Sequence, residues 1–328
     1  MEVVMIVFHT DLDNTLIYSY KRDIGEQKRC VENYQGREIS FVTQETYRLL
    51  HKLSEWKEQV LIVPMTTRTA EQYARIDLGI GGFRYALVCN GGVLLVNNSS
   101  NNNIARQTKV SSDAYEEEEG AYRNSRRIQE DENKHNGLCE VIQEDESQYG
   151  CLPGVMQEDE NWYRKSLEMI QISVGELHRA LEILSRDSRR NFELRFIKEL
   201  FVFTKCEEPE AVVADLKKVL NTDAVDVFNN GVKVYVVPKA LNKGRAVERF
   251  REYIGADYVI AAGDSEFDIS MLEAADLGLA PPELAQRYPF SDNVHRLSGE
   301  KIFAEMVLEK VYERLVYDSQ YQERVPDR

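Results

Sequence analysis

Two aspartates spaced i, i+2, Asp11 and Asp13, follow directly on the apolar run Val3 to Phe8. In open α/β sheets, ligands bind at the carboxyl ends of strands, where such a pair would stand. A solvated turn would also carry an Asp pair. The second acidic group, in Gly263-Asp264-Ser265-Glu266-Phe267-Asp268, likewise follows an apolar run, Val259 to Ala262. Carboxylates from both segments at one sheet edge would repel one another unless a hard cation sat among them. Mg²⁺, which keeps several of its waters, suits such oxygen ligands. Two further segments offer what an anion needs. Thr66, Thr67 and Arg68 end the run Val60 to Met65 with hydroxyl and backbone donors, although the same residues could cap a helix. Lys243 stands before a helical pattern and could neutralise phosphate charge, or simply be solvated.

The elements that must position these residues alternate between short apolar runs and amphipathic stretches, which predicts an α/β fold with a largely parallel, Rossmann-like sheet. Val3 to Phe8, Val60 to Met65, Tyr85 to Cys89 and Tyr258 to Ala262 read as strands. Thr43 can cap a helix whose Tyr47, Leu50, Leu53 and Trp56 share a face. Arg245 to Tyr253, Asp268 to Ala275 and the stretch carrying Phe303, Val307, Val311 and Leu315 read as helices. Different material lies between. Leu177 to Ser185 and Ala211 to Leu220 read as helices, while Glu193 to Phe203 and Val225 to Val237 read as strands or hairpins around Asn229-Asn230-Gly231. The division expected is a catalytic core of residues 1–92 and 238–328 with an inserted α+β domain at 93–237.

Residues 98–161 stand apart, with 15 acidic and 6 basic side chains and no apolar periodicity, so a mobile tract is expected. Within it Gln129-Glu130-Asp131-Glu132-Asn133, Gln143-Glu144-Asp145-Glu146-Ser147 and Gln157-Glu158-Asp159-Glu160-Asn161 recur every 14 residues. A low-complexity insert and a tract that docks a protein partner or a cation both fit this pattern. The composition would make 98–161 dispensable for chemistry.

Together, in this order and on these elements, the chemical segments resemble the haloacid dehalogenase superfamily of phosphatases and phosphotransferases. Asp11-Leu12-Asp13-Asn14-Thr15, Thr66-Thr67-Arg68, Asn90-Gly91-Gly92, Lys243-Gly244 and Gly263-Asp264 through Asp268-Ile269-Ser270-Met271-Leu272 are similar to the branch of Cof-type and sucrose-phosphatase-like enzymes, which inserts a cap after the third core strand. The resemblance implies Asp11 as nucleophile forming an aspartyl-phosphate and Asp13 as proton shuttle. It implies Mg²⁺ held by Asp11, the Asp13 carbonyl and Asp264, with Asp268 binding directly or through water. Thr66 and Lys243 would stabilise the phosphoryl oxygens. Thr67, Arg68 and Asn90 would face the substrate, with a structural role equally open for Arg68 and Asn90. Specificity would fall to the cap, where Lys205 and Lys233 could meet a polar substrate body. Three departures stand out: Phe267 where Asn is common, which could weaken the metal or phosphate geometry, Thr67 where Gly is frequent, and a long segment 17–42 that suggests a hairpin around Asn33 to Gly36 over the site.

The expected activity is hydrolysis of a small phosphorylated metabolite, a sugar phosphate first, with a phosphomutase or phosphotransferase as the alternative and a weakly active binding module as a third reading. A net charge of −15 argues against nucleic acid or anionic membranes as general partners. The run Val3 to Phe8 is far short of the roughly 20 residues that span a bilayer. Five cysteines without a CxxC pair fit a reducing cytoplasm.

Overall fold

The computed structural model describes residues 5–98 and 156–322. β1 (Ile6–Thr10) is buried at every position, as a strand in the middle of a parallel sheet must be. A small antiparallel sheet follows, of β2 (Tyr18–Ser19), β3 (Lys28–Tyr34) and β4 (Arg37–Thr43), ordered β2-β4-β3. The two-residue loop Gln35-Gly36 joins β3 to β4 with φ of 53° and 75°, the left-handed pair that a tight hairpin demands. Thr43 caps α1 (Gln44–Ser54), its hydroxyl accepting the Thr46 N–H, and Thr46, Leu49, Leu50 and Leu53 form the buried face. Tyr47 is only partly buried, and Trp56 lies beyond the helix end, edge-on to Tyr312.

β5 (Val60–Pro64) returns parallel to β1 and leads into the single turn α2 (Ala70–Tyr73). β6 (Tyr85–Val88) joins the β5 side through a parallel bridge from Met65 to Leu87, and β7 (Val93–Val96) pairs with it antiparallel. β8 (Gln157–Glu158) pairs in turn with β7, and Asp159 caps α3 (Glu160–Met169) by accepting the Trp162 N–H. The third acidic repeat, Gln157 to Asn161, is therefore not part of a mobile tract. It forms a strand and a helix start, because Trp162 just beyond it is buried and donates its indole N–H to the Gly91 carbonyl at 3.0 Å. The first two copies lie outside the described residues.

The inserted α+β unit comprises α4 (Val174–Ser185), β9 (Arg195–Ile197), β10 (Phe201–Lys205), α5 (Pro209–Val219), β11 (Val225–Asn230) and β12 (Lys233–Pro238). Its sheet is antiparallel, ordered β11-β12-β10-β9. Strand alternation splits the two faces. Val202, Thr204, Val234 and Val236 are buried on the side of α4 and α5, while Phe203, Lys205, Lys233 and Tyr235 point the other way and line a cavity.

The chain then completes its core with α6 (Lys243–Ile254), β13 (Tyr258–Ala262), α7 (Ile269–Ala274), β14 (Leu277–Ala280), α8 (Pro282–Arg287), β15 (Val294–Arg296) and α9 (Phe303–Gln322). The main sheet is parallel throughout, ordered β15-β14-β13-β1-β5. Its register aligns Thr10 with Ala262 on one side and Pro64 on the other. Asp11, Met65 and Gly263 therefore leave the sheet at one edge.

Replacing 99–155 with a short Gly/Ser linker should leave the melting temperature nearly unchanged. Extending the same excision through residue 161 should lower it, since the Asp159 cap alone is worth about 1 kcal/mol. Thermal melts of the two variants check this.

Candidate active site

A buried ammonium organises the floor. Lys243, the first residue of α6, lies 2.6 Å from Asp11 Oδ1 and 2.6 Å from Asp268 Oδ1, with all three residues buried. The other oxygen of Asp268 accepts the Ser265 hydroxyl at 2.7 Å, the Ser265 N–H at 2.9 Å and the Asp264 N–H at 3.2 Å. Asp264 accepts the Thr15 hydroxyl at 3.2 Å. One oxygen from each of Asp11, Asp264 and Asp268 falls within 4.8 Å of the others.

Three carboxylates face one ammonium. Burial, helped by the charges of Asp268, Asp264 and Asp13, pushes Asp11 well above the usual carboxylate range despite Lys243. Burial first, then Asp268, pushes Asp264 up to about 7. Lys243 is shifted the opposite way to what burial would do: Asp11 and Asp268 hold its pKa above that of an ordinary ammonium. Protons on the carboxylates, or a cation among them, would relieve the surplus negative charge. An all-oxygen donor set of this size suits Mg²⁺.

Two glycines set the spacing. A Cβ on Gly263 would stand 2.3 Å from the Asp268 Cβ, and one on Gly244 would stand 2.4 Å from the Ser270 carbonyl oxygen. Neither site admits a methyl group without moving the Asp268 loop or separating α6 from α7.

The side wall carries a second network. Arg68 donates from Nε and Nη2 to the two oxygens of Asp13, at 2.8 and 2.7 Å, and its Nη1 lies 2.9 Å from Glu32. Burial alone would raise the Asp13 pKa, yet the hydrogen bond and charge of Arg68 hold it below the usual value. Glu32, on β3, is buried, accepts the Ser40 hydroxyl at 2.6 Å and meets Arg75 at 3.3 Å. Glu32 and Arg75 escape a sequence reading. Strand alternation puts Glu32 opposite the buried Val31, but register shifts around Glu32 turn both residues inward.

These walls, the hairpin and the roof from the inserted sheet enclose a cavity of ≈ 670 Å³. Asp11, Asp13, Thr67, Arg68, Lys205, Lys233, Lys243 and Asp264 all line it. Thr66 does not. It is buried at the strand end, where its hydroxyl accepts the Arg68 N–H at 3.2 Å. For Asn90 the structure shows the structural alternative: its side chain is buried, is not among the cavity lining and donates to the Leu241 carbonyl at 3.0 Å, tying the loop after β6 to the start of α6. Phe267, the departure in the second acidic segment, packs away from it. Its ring turns to the roof, with centroids 4.5 Å from Phe228 and 5.2 Å from Tyr235. His9 precedes the aspartates but packs edge-on to Phe250, and burial lowers its pKa to about 3, leaving it neutral.

Residues 8–281 match the family model for haloacid dehalogenase-like hydrolases. The chain belongs to that family. Its fold is similar to that of the sucrose-phosphatase from Synechocystis sp. PCC6803 solved with sucrose and phosphate, at 15% identity over 95% of this chain and 98% of that one, with a TM-score of 0.55. The haloacid dehalogenase-like hydrolase yhjK from Bacillus subtilis matches at 12% identity over 95% and 96% of the two chains, with a TM-score of 0.47. No curated protein sequence matches the chain closely enough to be counted a relative. Among the described residues no helix is long and apolar enough to cross a membrane.

Glu32→Ala would leave Arg68 and Arg75 without their buried carboxylate. Breaking a buried pair costs about 3–5 kcal/mol, so a clear drop in melting temperature is expected, with Glu32→Gln falling between the two. Gly263→Ala should destabilise by about 1–3 kcal/mol through overpacking and reduce turnover with it, as melting and rate measurements on one sample would show.

Proposed function

We propose that this hydrolase is a Mg²⁺-dependent phosphomonoesterase acting on a small phosphorylated metabolite, with sugar phosphates as the first class to try. The observation that carries the reading is the carboxylate of Asp11, bonded through one oxygen to Lys243 and lining a polar cavity with Asp264 beside it. A cavity of ≈ 670 Å³ suits a metabolite rather than a polymer. The fold neighbour from Synechocystis, solved with sucrose and phosphate, supports the choice of sugar phosphates.

In this reading Asp11 attacks phosphorus and forms an aspartyl-phosphate as the ester oxygen leaves. Asp13 protonates the leaving oxygen, then takes a proton from the water that cleaves the intermediate. Arg68 keeps Asp13 ionised in the free site, so substrate must loosen that pair before Asp13 can carry a proton. Lys243 stabilises the phosphoryl oxygens and Thr67 lines the same pocket, while the buried Thr66 hydroxyl acts from behind by accepting the Arg68 N–H. Mg²⁺, held by Asp11, Asp264 and the Asp13 carbonyl with Asp268 directly or through water, would supply positive charge to those oxygens. Asp268 has a second task in any case, since both of its oxygens are engaged in holding Lys243 and the Asp264 loop.

The same reading divides the chain into a core of residues 1–92 and 238–328 and a cap at 93–237, with β7 and β8 as the seam because β7 pairs with β6 and β8 with β7. The cysteine pattern supports a cytoplasmic setting, and the described Cys30 and Cys206 are free. A partner-docking role for the acidic tract rests on its composition alone.

Phosphate release from a panel of sugar phosphates should require Mg²⁺, stop after EDTA treatment and return on adding Mg²⁺. Asp11→Asn should lower turnover by at least about a thousandfold in a folded protein. Because burial and Asp268 push Asp264 up to about 7, and burial raises its neighbour Asp11 as well, a cation bound between them competes with protons, and its apparent affinity should weaken as pH falls below 7. Full activity after EDTA and dialysis, or an active Asp11→Asn protein, would refute the proposal.

A further inference from the structure

The cavity has a second charged region, on its roof. Lys205 of β10 and Lys233 of β12 are register partners, so they stand directly opposite each other on one face of the inserted sheet. Both line the cavity. Like charges in directly opposed strand positions are destabilising, and here they are not relieved in the usual way. The other cations of the cavity each have a carboxylate: Arg68 has Asp13 and Glu32, Arg75 has Glu32, Arg195 has Glu193, and Lys243 has Asp11 and Asp268. Among the described residues no ion pair engages Lys205 or Lys233. Lys205 rests over the Phe192 ring at 4.1 Å, and Asn230 of β11 stands opposite Lys233 on its other side, bringing an amide to the same end of the roof. Desolvation in the cleft, followed by Lys205 and Arg68, holds the Lys233 pKa below the ordinary value, although Asp13 pulls the other way.

We propose that Lys205 and Lys233, with Asn230 beside them, form a subsite for a second anionic group, a carboxylate or a phosphate on the part of the substrate that is not transferred. The preferred substrate is then a phosphomonoester with an acidic body rather than a neutral sugar phosphate. An anion set between the two ammonium groups turns their repulsion into two charge-assisted contacts. The phosphoryl end has its own cation in Lys243, so the roof pair is surplus to it. This inference rests on the phosphomonoesterase reading and narrows its substrate.

The test compares kcat/KM for 6-phosphogluconate, fructose 1,6-bisphosphate, glucose 6-phosphate and p-nitrophenyl phosphate in the full chain and in Lys205→Gln, Lys233→Gln and the double variant. The two acidic-body substrates should exceed glucose 6-phosphate by at least about tenfold, chiefly through KM, and the double variant should erase that advantage. The 6-phosphogluconate and bisphosphate arms show whether a carboxylate or a phosphate is the better occupant. The subsite is overturned if glucose 6-phosphate is as good as either acidic ester. It is also overturned if the double variant keeps the preference, or if the variants lose the same factor on all four esters, because the lysines would then serve the transferred group. If none of the esters is hydrolysed, the phosphomonoesterase reading fails separately, and binding decides the subsite. Gluconate should raise the melting temperature more than glucose does in the full chain and no more than glucose in the double variant, and equal shifts in the full chain would overturn it.

Discussion

The site depends on a lysine ammonium buried between two aspartates. Taking an isolated ion out of water costs several kcal/mol even after the protein relaxes. Lys243 is tolerable there only because Asp11 and Asp268 both lie 2.6 Å from it. The three residues come from the end of β1, the loop after β13 and the first turn of α6, so the triad holds three chain segments at one point. Asp268 extends the hold through Ser265 and the Asp264 backbone, and this fixes the third carboxylate beside Asp11. Gly263 and Gly244 matter for the same reason, since a methyl at either would push on the Asp268 loop or on the contact between α6 and α7.

Around that floor, closure relies on two cross-links of different chemistry. Arg68 binds Asp13 of the first loop and Glu32 of the hairpin, so a polar bond ties the hairpin to the core. Phe267 inserts against Phe228 and Tyr235, so an aromatic contact ties the loop that carries Asp264 to the inserted sheet. Edge-to-face rings at such separations add about 0.5–1.5 kcal/mol beyond the area they bury. A residue that looked like damage to the acidic motif is thus a contact between core and roof.

Much of this was legible in the sequence because parallel sheets write a plain pattern. Val60 to Pro64 and Tyr258 to Ala262 are almost wholly apolar runs, and the aspartates that follow β1 and β13 reach the same edge once those strands pair in register. Thr43 announced its helix through its side-chain chemistry. What the sequence left open or missed shares a cause, which is that tertiary context overrode a local rule. Glu32 faces inward because the ladder slips around it. Asn90 serves a carbonyl 151 positions away in sequence, a contact invisible to spacing. The third acidic repeat is ordered by Trp162, which lies just past its end, and by the edge of β7, which only the folded sheet provides.

The central claim is that the Asp11 carboxylate, held by Lys243, becomes covalently phosphorylated. The most direct measurement mixes Asp13→Asn protein with a hydrolysable phosphate ester and Mg²⁺, quenches in acid and maps the peptides by mass spectrometry, because loss of the proton shuttle should slow breakdown of the intermediate. The account predicts one added phosphoryl group, localised to Asp11 on the peptide that carries it. Phosphoryl transfer to any other residue, or phosphate release by this variant with the Asp11 peptide unmodified at every quench time, would contradict it.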